Sequence, residues 1–231
     1  MPVAIITGAS KGLGRALADA LAGRGWDLVL DARGAETLTE AAGVVSAHGR
    51  RVTALPGDVT DPSHRGELVA AARKLGGLDL LVSNASALGA EPLVRLAGLP
   101  LEGLRRALEV NVVAALGLVQ EALPMLRASE AGAVITVSSD AAAEAYETWG
   151  GYGASKAALD HLAAVLGEEE PGLRVWAVDP GDMATDLYAV AVPEDEDPRP
   201  EPVTVVPAFL RLLDARPASG RYGAVALMES P

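Results

Sequence analysis

The chain of 231 residues contains no cysteine and few aromatic side chains. Without cysteine there can be no disulfide, no thiolate catalysis and no cysteine-ligated zinc. Half of the residues are hydrophobic but only 3% are aromatic, so small and aliphatic side chains must fill the core. Such side chains suit the close packing of helices against a sheet.

Basic residues are in the minority, with 19 Lys and Arg against 31 Asp and Glu and a net charge of −12. An acidic protein repels phosphate backbones, so we expect no nucleic-acid partner. The three histidines lack the spacing of metal ligands, so we expect no metal. No stretch of about 18 uncharged apolar residues occurs, so we expect no membrane span. The apolar run at 3–6 is too short for a signal peptide, and we expect a cytoplasmic protein.

Short apolar runs alternate with helical stretches along nearly the whole chain. Several runs are apolar on both faces, which is typical of buried parallel strands. The alternation predicts a single α/β domain over 1–231, a doubly wound parallel sheet of about seven strands between two helix layers. The predicted strands are 3–7, 27–30, 51–55, 78–82, 132–137, 173–178 and 221–227.

Helix signals fill the intervals between these strands. Asp61 and Pro62 look like an N-cap and a first-turn proline that open one helix. Pro124 should kink or end another helix near its C-terminal end. The most regular helical patterns cover 15–25, 36–48, 62–75, 101–127 and 152–168.

The stretch PEDEDPRPEP at 193–202 departs from the alternation because it is rich in proline and acidic residues. It predicts an exposed loop over about 190–203, near the substrate side of the domain. Two interpretations stay open, a solvated connection, which we favour, and a mobile lid.

A glycine-rich turn directly follows the first predicted strand and opens the first helix. Glycines allow the tight turn and let a pyrophosphate approach the backbone, while the helix N-terminus offers free N–H groups. The spacing is GxxxGxG, and its place between strand and helix indicates a Rossmann-type dinucleotide site. The residues of the turn that we expect at the cofactor are Gly8, Ser10, Lys11, Gly12, Leu13 and Gly14.

The sequence TGASKGLG resembles the cofactor turn of the short-chain dehydrogenase/reductase family, and later motifs extend this resemblance over nearly the whole chain. Ser83 and Ser86 stand where the family more commonly has Asn and Gly. The resemblance implies cofactor contacts by three further segments. These are Asp58 and Val59, then Asn84 and Ala85, and finally Pro180, Gly181, Met183 and Thr185.

The sharpest signal is the pair Tyr152 and Lys156, which share one helix face because they lie four residues apart. A nearby ammonium favours the phenolate, so we expect a lowered pKa for Tyr152 and a role as proton donor and acceptor. Ser139 precedes Tyr152 by the family's spacing, which implies that it holds the substrate oxygen. Asn111 resembles the family's helix asparagine, which can hold a water that relays protons to the lysine. The resemblance also implies that Lys156 binds the nicotinamide ribose, next to Tyr152.

The signs for the choice of nicotinamide cofactor conflict. An acid about twenty residues beyond the glycine turn selects NAD by binding the ribose 2′-hydroxyl, and Asp31 lies near that distance. In the family register, however, the selecting position is Ala32, and strand alternation turns Asp31 the other way. Arg33 and Lys11 stand where NADP-using members place the cations that bind the 2′-phosphate. We therefore expect NADP(H), with NAD(H) as the alternative.

The sequence thus predicts an NADP(H)-dependent oxidoreductase that acts on a small carbonyl or alcohol substrate. Two alternatives stay open, an NAD(H)-preferring dehydrogenase and a non-catalytic dinucleotide-binding regulator. By analogy with the family we expect a homodimer or homotetramer, formed through the helices of 101–127 and 152–168.

Overall fold

Seven parallel strands form one sheet in the computed structural model, which describes residues 1–229. The spatial order of the strands is β3-β2-β1-β4-β5-β6-β7, and helices cover both faces, so the predicted doubly wound fold is confirmed. Each predicted strand overlaps an observed one. The strands are β1 Val3–Ile6, β2 Asp27–Ala32, β3 Val52–Pro56, β4 Leu80–Ser83, β5 Ala133–Val137, β6 Arg174–Asp179 and β7 Gly220–Gly223.

The helices occupy the intervals that the sequence predicts, and Asp61 caps one of them by accepting a hydrogen bond from the Ser63 N–H. Three further helices, Asp186–Ala191, Val206–Ala215 and Ala224–Glu229, lie outside the helical ranges predicted from the sequence. The helices are α1 Gly12–Gly23, α2 Ala35–Ser46, α3 Pro62–Leu75, α4 Leu101–Leu108, α5 Ala115–Ala128, α6 Gly150–Glu169, α7 Asp186–Ala191, α8 Val206–Ala215 and α9 Ala224–Glu229.

The core lies on both sides of the sheet because strand side chains alternate between its faces. In β1, Ala4 and Ile6 pack with α1, α2 and α8, whereas Val3 and Ile5 pack with α3, α5 and α6. All four residues of β1 are buried. This two-sided burial explains why the central strands are apolar throughout.

The long helical pattern at 101–127 differs from its prediction. A π-helical segment, Glu109–Ala114, separates α4 from α5. Pro124 does not end the helix, which continues to Ala128. Pro124 and Gln120 are both exposed, so water can satisfy the Gln120 carbonyl that loses its N–H partner.

The stretch Leu101–Ala128 is, by length and composition, long and apolar enough to cross a membrane. In the fold, one face of α5 lies in the core through Leu118, Val119, Ala122 and Leu126. Core helices of this kind share the length and composition of membrane spans.

The prediction of a strand over 221–227 is wrong in its second half. The strand β7 ends at Gly223, and α9 begins at Ala224. The apolar run continues across this boundary, but Ala, Leu and Met are good helix formers, and helix propensity prevails once β7 has ended.

The order of the strands creates a crevice at one edge of the sheet. From β1 the chain proceeds to β2 and β3 on one side, whereas β4 to β7 extend on the other side. The loops after β1 and β4 therefore diverge, and ligands of such sheets bind in the opening at the carboxyl ends of the strands.

Candidate active site

A cavity of about 770 Å³ occupies this crevice. Among the site residues predicted from the sequence, Gly14 and Asn111 lie behind its wall and the others line it. The lining residues that were predicted are Gly8, Ser10, Lys11, Gly12, Leu13, Arg33, Asp58, Val59, Asn84, Ala85, Ser139, Tyr152, Lys156, Pro180, Gly181, Met183 and Thr185.

The glycine turn is fixed to the loop after β4. The Asn84 amide donates hydrogen bonds to the carbonyls of Thr7 and Gly8, at 2.8 and 3.2 Å. The Thr7 hydroxyl accepts from the N–H groups of Asn84 and Ala85, at 2.9 and 3.0 Å. These bonds hold the turn in shape, and Asn84 has the bracing role of a structural residue.

The turn and the first helix form a cradle that fits a dinucleotide pyrophosphate. Gly8 and Gly12 have φ angles of +65° and +56°, which residues other than glycine rarely adopt. A Cβ on Gly14 would lie 2.4 Å from the Gly8 carbonyl oxygen, so α1 can begin this close to the turn only with glycine there. No side chain caps α1 at Lys11, which leaves its first N–H groups to an anion.

Arg33 lies at the far end of the cavity from Tyr152, just after β2. Its side chain is exposed, and no hydrogen bond or ion pair engages it within residues 1–229. Asp58 accepts hydrogen bonds from Thr60 and lies 3.0 Å from Arg106 Nη2. Although burial favours the neutral acid, these bonds hold the pKa of Asp58 at about 2. Asp58 is therefore an ionised acceptor in the region where the family resemblance expects adenine.

Asp31 does not present its carboxylate as a free acceptor at this end. The strand β2 continues to Ala32, and Asp31 is 1% exposed. Its Oδ1 atom lies 2.7 Å from Nε2 of His64, on α3. This arrangement agrees with the strand alternation from which we expected Asp31 to turn away.

Lys11 is engaged differently from Arg33. Its ammonium forms an ion pair with Asp186 at the start of α7. Both side chains are more than half exposed, so the pair is weak and open to exchange with a stronger anion. The contact links the glycine turn to the segment after β6, where the methyl of Thr185 lies about 3.4 Å from the position of a Cβ on Gly12.

At the opposite end of the cavity, Tyr152 and Lys156 lie side by side on α6. The Lys156 ammonium is 5.5 Å from the centre of the Tyr152 ring and donates to the Val137 carbonyl at 2.7 Å. Both side chains are buried, at 6% and 2% exposure. Burial lowers the pKa of Lys156 to about 8, against the attraction of Asp160.

The expected lowering of the Tyr152 pKa is wrong for the protein alone. Burial raises this pKa to about 12, with smaller increases from Asp140 and Asp179. The hydroxyls of Ser86 and Ser139 act in the opposite direction. Desolvation of the phenolate thus outweighs the neighbouring ammonium, and Tyr152 is a protonated phenol at neutral pH.

The hydroxyls of Ser86 and Ser139 thus both lie near the Tyr152 hydroxyl. Ser139 accepts from the Ala141 N–H at 3.2 Å and donates to Asp140 at 3.0 Å. Ser86 was not among the residues predicted from the sequence, although its departure from the family's glycine was a signal. Ser138 instead donates to Asp160 at 2.7 Å, which is a structural role.

Asn111 lies in the π-helical segment and is 1% exposed. Its Nδ2 atom donates to the Ala87 carbonyl and to Ser155 Oγ, and its Oδ1 atom accepts from the Ala87 N–H and from Ser86 Oγ. These four bonds use the full capacity of the side-chain amide. The predicted water cannot be held by this side chain, so a relay would have to use the main chain.

The acidic loop contacts the segment of 182–188, which lines the cavity. Arg199 lies within 3.1 Å of the Tyr188 hydroxyl and 2.5 Å from Asp195, and it faces Asp182 at 3.6 Å. The Ala184 N–H donates to the Pro200 carbonyl at 2.9 Å. These contacts attach the loop to the segment that follows Gly181.

Within residues 1–229 no group of three or more His, Asp or Glu side chains is arranged to hold a metal ion. Two opposed groups thus define the cavity. Cations and a glycine cradle lie at one end, and a buried phenol with two serine hydroxyls near it lies at the other.

Comparisons with known proteins agree with this geometry. The family model described as short chain dehydrogenase matches residues 2–196. An uncharacterized oxidoreductase of Saccharomyces cerevisiae is 36% identical over 188 residues, which cover 80% of this chain and 72% of that protein. The 7alpha-hydroxysteroid dehydrogenase of Escherichia coli is 32% identical over 197 residues, covering 84% of this chain and 76% of the enzyme.

A solved structure shares the whole architecture. A short-chain dehydrogenase of Shigella flexneri, crystallised in complex with NADP, superimposes with a TM-score of 0.90 at 28% identity. The match covers 97% of each chain, so the fold extends over both ends of the cavity.

Proposed function

The chain belongs to the short-chain dehydrogenase family and is an oxidoreductase of that family, and from this premise we propose that it is an NADP(H)-dependent carbonyl reductase. The observation that carries the proposal is Tyr152, a buried phenol beside Lys156 with the hydroxyls of Ser86 and Ser139 facing it. We also propose that residues 1–231 act as one cofactor-binding domain. The nicotinamide, when bound, would supply or accept the hydride.

The side chains of this chain would position and protonate the substrate oxygen. Ser139 would hold the oxygen, and Tyr152 would donate its proton to it as the carbonyl becomes an alcohol. Because burial raises its pKa, Tyr152 carries its proton at neutral pH and can donate it to the carbonyl oxygen. Lys156 would hold positive charge behind the ring and stabilise the phenolate that forms.

The preference for NADP(H) rests on the charges at the far end of the cavity. Ala32 offers no acid to the ribose, Asp31 is held by His64, and the Arg33 side chain is exposed. A 2′-phosphate needs such a cation. Arg33→Ala should lower NADPH affinity by about tenfold or more with little effect on NADH. An unchanged NADPH affinity would favour the NAD(H)-preferring alternative.

The substrate side of the cavity favours neutral or cationic carbonyl compounds over anionic ones. Asp140 and Asp182 line it, together with Trp149, whose ring meets that of Tyr152 edge-on at 5.6 Å. Burial and the neighbouring carboxylates, Asp140 first, raise the pKa of Asp182. A carboxylate or phosphate on the substrate would add to this repulsion.

The direct experiment follows NADPH oxidation with a panel of small ketones, aldehydes and diketones. We expect turnover by the wild type and a loss of at least about 10²-fold in Tyr152→Phe, because the general acid is removed. NADPH binding should survive in the variant. Equal rates for both proteins would refute the assignment of Tyr152. Tight NADPH binding without turnover of any compound would favour the alternative that the chain is a non-catalytic dinucleotide-binding regulator.

A further inference from the structure

Asp31 and His64 form a buried ionisable pair that the proposed chemistry does not use. Asp31 is 1% exposed and His64 is 6% exposed, and the atoms Oδ1 and Nε2 lie 2.7 Å apart. Burial raises the pKa of Asp31, whereas His64 and the Gly8 N–H lower it and Asp58 raises it. The buried carboxylate is therefore held by its contacts with His64 and the Gly8 N–H.

The pair lies where three cofactor-facing segments meet. The Ala9 N–H donates to the Asp31 carbonyl at 2.8 Å, which ties β2 to the glycine turn. The His64 ring lies against Gly57, since a Cβ there would be 2.4 Å from the ring. Asp31 and Gly57 both line the cavity, so the pair borders the end that carries Arg33.

A carboxylate at this end has two possible orientations with opposite consequences. Turned toward the cofactor, it would accept a hydrogen bond from a ribose 2′-hydroxyl and would repel a 2′-phosphate. Turned toward α3, it leaves the phosphate region to Arg33. The structure shows the second orientation, which follows from the strand alternation in β2 and is held by the contact with His64 together with the Gly8 N–H.

We infer that His64 is a positioning residue for cofactor choice, which keeps the Asp31 carboxylate away from the 2′-phosphate and thereby permits discrimination in favour of NADPH. The inference rests on the proposed preference for NADP(H). His64 touches neither cofactor nor substrate in this account. Glu67, whose carboxylate is 3.9 Å from the other ring nitrogen, faces solvent and cannot replace the ring as the partner of Asp31.

The test compares NADPH and NADH affinities by fluorescence titration without any substrate. His64→Leu should lower the ratio of NADPH to NADH affinity by about tenfold or more, the size expected for a carboxylate released near a phosphate. His64→Gln keeps an N–H donor and should retain the wild-type ratio. The double variant His64→Leu/Asp31→Asn should restore the ratio, because the released group is then neutral.

The matched control is His48→Leu. His48 forms a similar pair with Asp19 at 2.9 Å, but at the exposed surface, so its loss should leave the ratio unchanged. If His64→Leu does not fold, Gly57→Ala provides a second route, since the added Cβ would displace the ring and should lower the ratio in the same way.

The outcomes separate the two proposals. A wild type that prefers NADH refutes the proposed cofactor itself. A wild type that prefers NADPH, together with an unchanged ratio in His64→Leu or Gly57→Ala, overturns only the role of His64. An equal loss of both affinities that Asp31→Asn does not rescue also overturns it, because that result describes a purely structural residue.

Discussion

Lys156 is buried as an ammonium, which is the form that desolvation disfavours. Its folded pKa of about 8 lies below the ordinary value of 10.5, so the folded protein holds fewer protons than the unfolded chain between these values. The free energy of unfolding therefore rises with pH between about 8 and 10.5. The destabilisation caused by burying the charged ammonium is fully present below about pH 8. This cost is the consequence of placing a cation behind Tyr152.

Lys156→Met should consequently raise the free energy of unfolding at neutral pH, by about 2 kcal/mol after loss of the bond to Val137. The gain should shrink as pH rises toward 10.5. Denaturant unfolding of both proteins at several pH values measures it. Lys74→Met, at an exposed site, should show no such trend. A Lys156→Met protein less stable at neutral pH would contradict this account.

Ser86 is expected to tune the proton step from the loop after β4. Its hydroxyl lowers the pKa of Tyr152, so Ser86→Ala should raise that pKa further. Alcohol oxidation needs the phenolate, and its rate profile should move to higher pH by up to about one unit. The pH dependence of kcat/KM for an alcohol with NADP⁺ is the measurement. Ser46→Ala, on the outside of α2, is the control. An unchanged pH profile in Ser86→Ala would contradict the effect of Ser86 on the pKa of Tyr152.

At the scale of elements, the start of α1 depends on the absence of a side chain at Gly14. Gly14→Ala places a Cβ 2.4 Å from the Gly8 carbonyl oxygen and 2.6 Å from the Asn84 amide. The clash should deform the cradle and lower NADPH affinity by about tenfold or more. Cofactor titration and thermal unfolding measure the two effects.

Gly43→Ala is the matched control for this variant. Nothing lies within 4 Å of a Cβ on Gly43, which is exposed on α2, so alanine there should stabilise the protein by about 0.5–1 kcal/mol and leave cofactor binding unchanged. Equal affinities in Gly14→Ala and the wild type would show that the cradle does not hold the pyrophosphate.

The elements also show how far the sequence determines the structure. Apolar runs and the Asp61 cap carry local signals, so the strands and most helices were predicted within a few residues. The π-helical segment at 109–114 has no such signal, because it depends on packing around Asn111. Likewise, the apolar run does not mark the end of β7 at Gly223, because it continues into α9, whose residues are good helix formers.

The sequence predicted which residues form the site, but not their pKa values or their hydrogen-bond partners. Motif spacing identified Tyr152 and Lys156, yet the sign of the Tyr152 pKa shift follows from burial, which spacing does not reveal. The partner of Asp31 is a histidine 33 residues away, and only the folded chain brings the two together.

The whole molecule carries a net charge of −12, and the carboxylates of Asp140 and Asp182 line the substrate side of the cavity. We expect a neutral or cationic ketone to be reduced with higher kcat/KM than a carboxylated analogue of the same shape. Asp182→Asn should narrow the difference by about threefold to tenfold, since one repelling charge is removed. Rates with such a matched pair of substrates test this, and a faster anionic substrate would contradict it.

The assembly of the molecule is a separate proposal. We propose a homodimer or homotetramer that covers apolar side chains exposed on the helices of 101–128 and 150–169, such as Val113, Leu116 and Val165. Sedimentation velocity should show a species of at least two chains. A monomer at micromolar concentration would refute the proposal.

Hydride transfer to a carbonyl carbon can be followed directly with NADPH that carries deuterium at both C4 positions of the nicotinamide. We expect mass spectrometry to find a single deuterium on the carbinol carbon of the alcohol product. Tyr152→Phe should bind the labelled cofactor and form almost no labelled product. Tight binding of NADPH by the wild type, with no transfer of label to any carbonyl compound tested, would contradict the assignment of this chain as a carbonyl reductase.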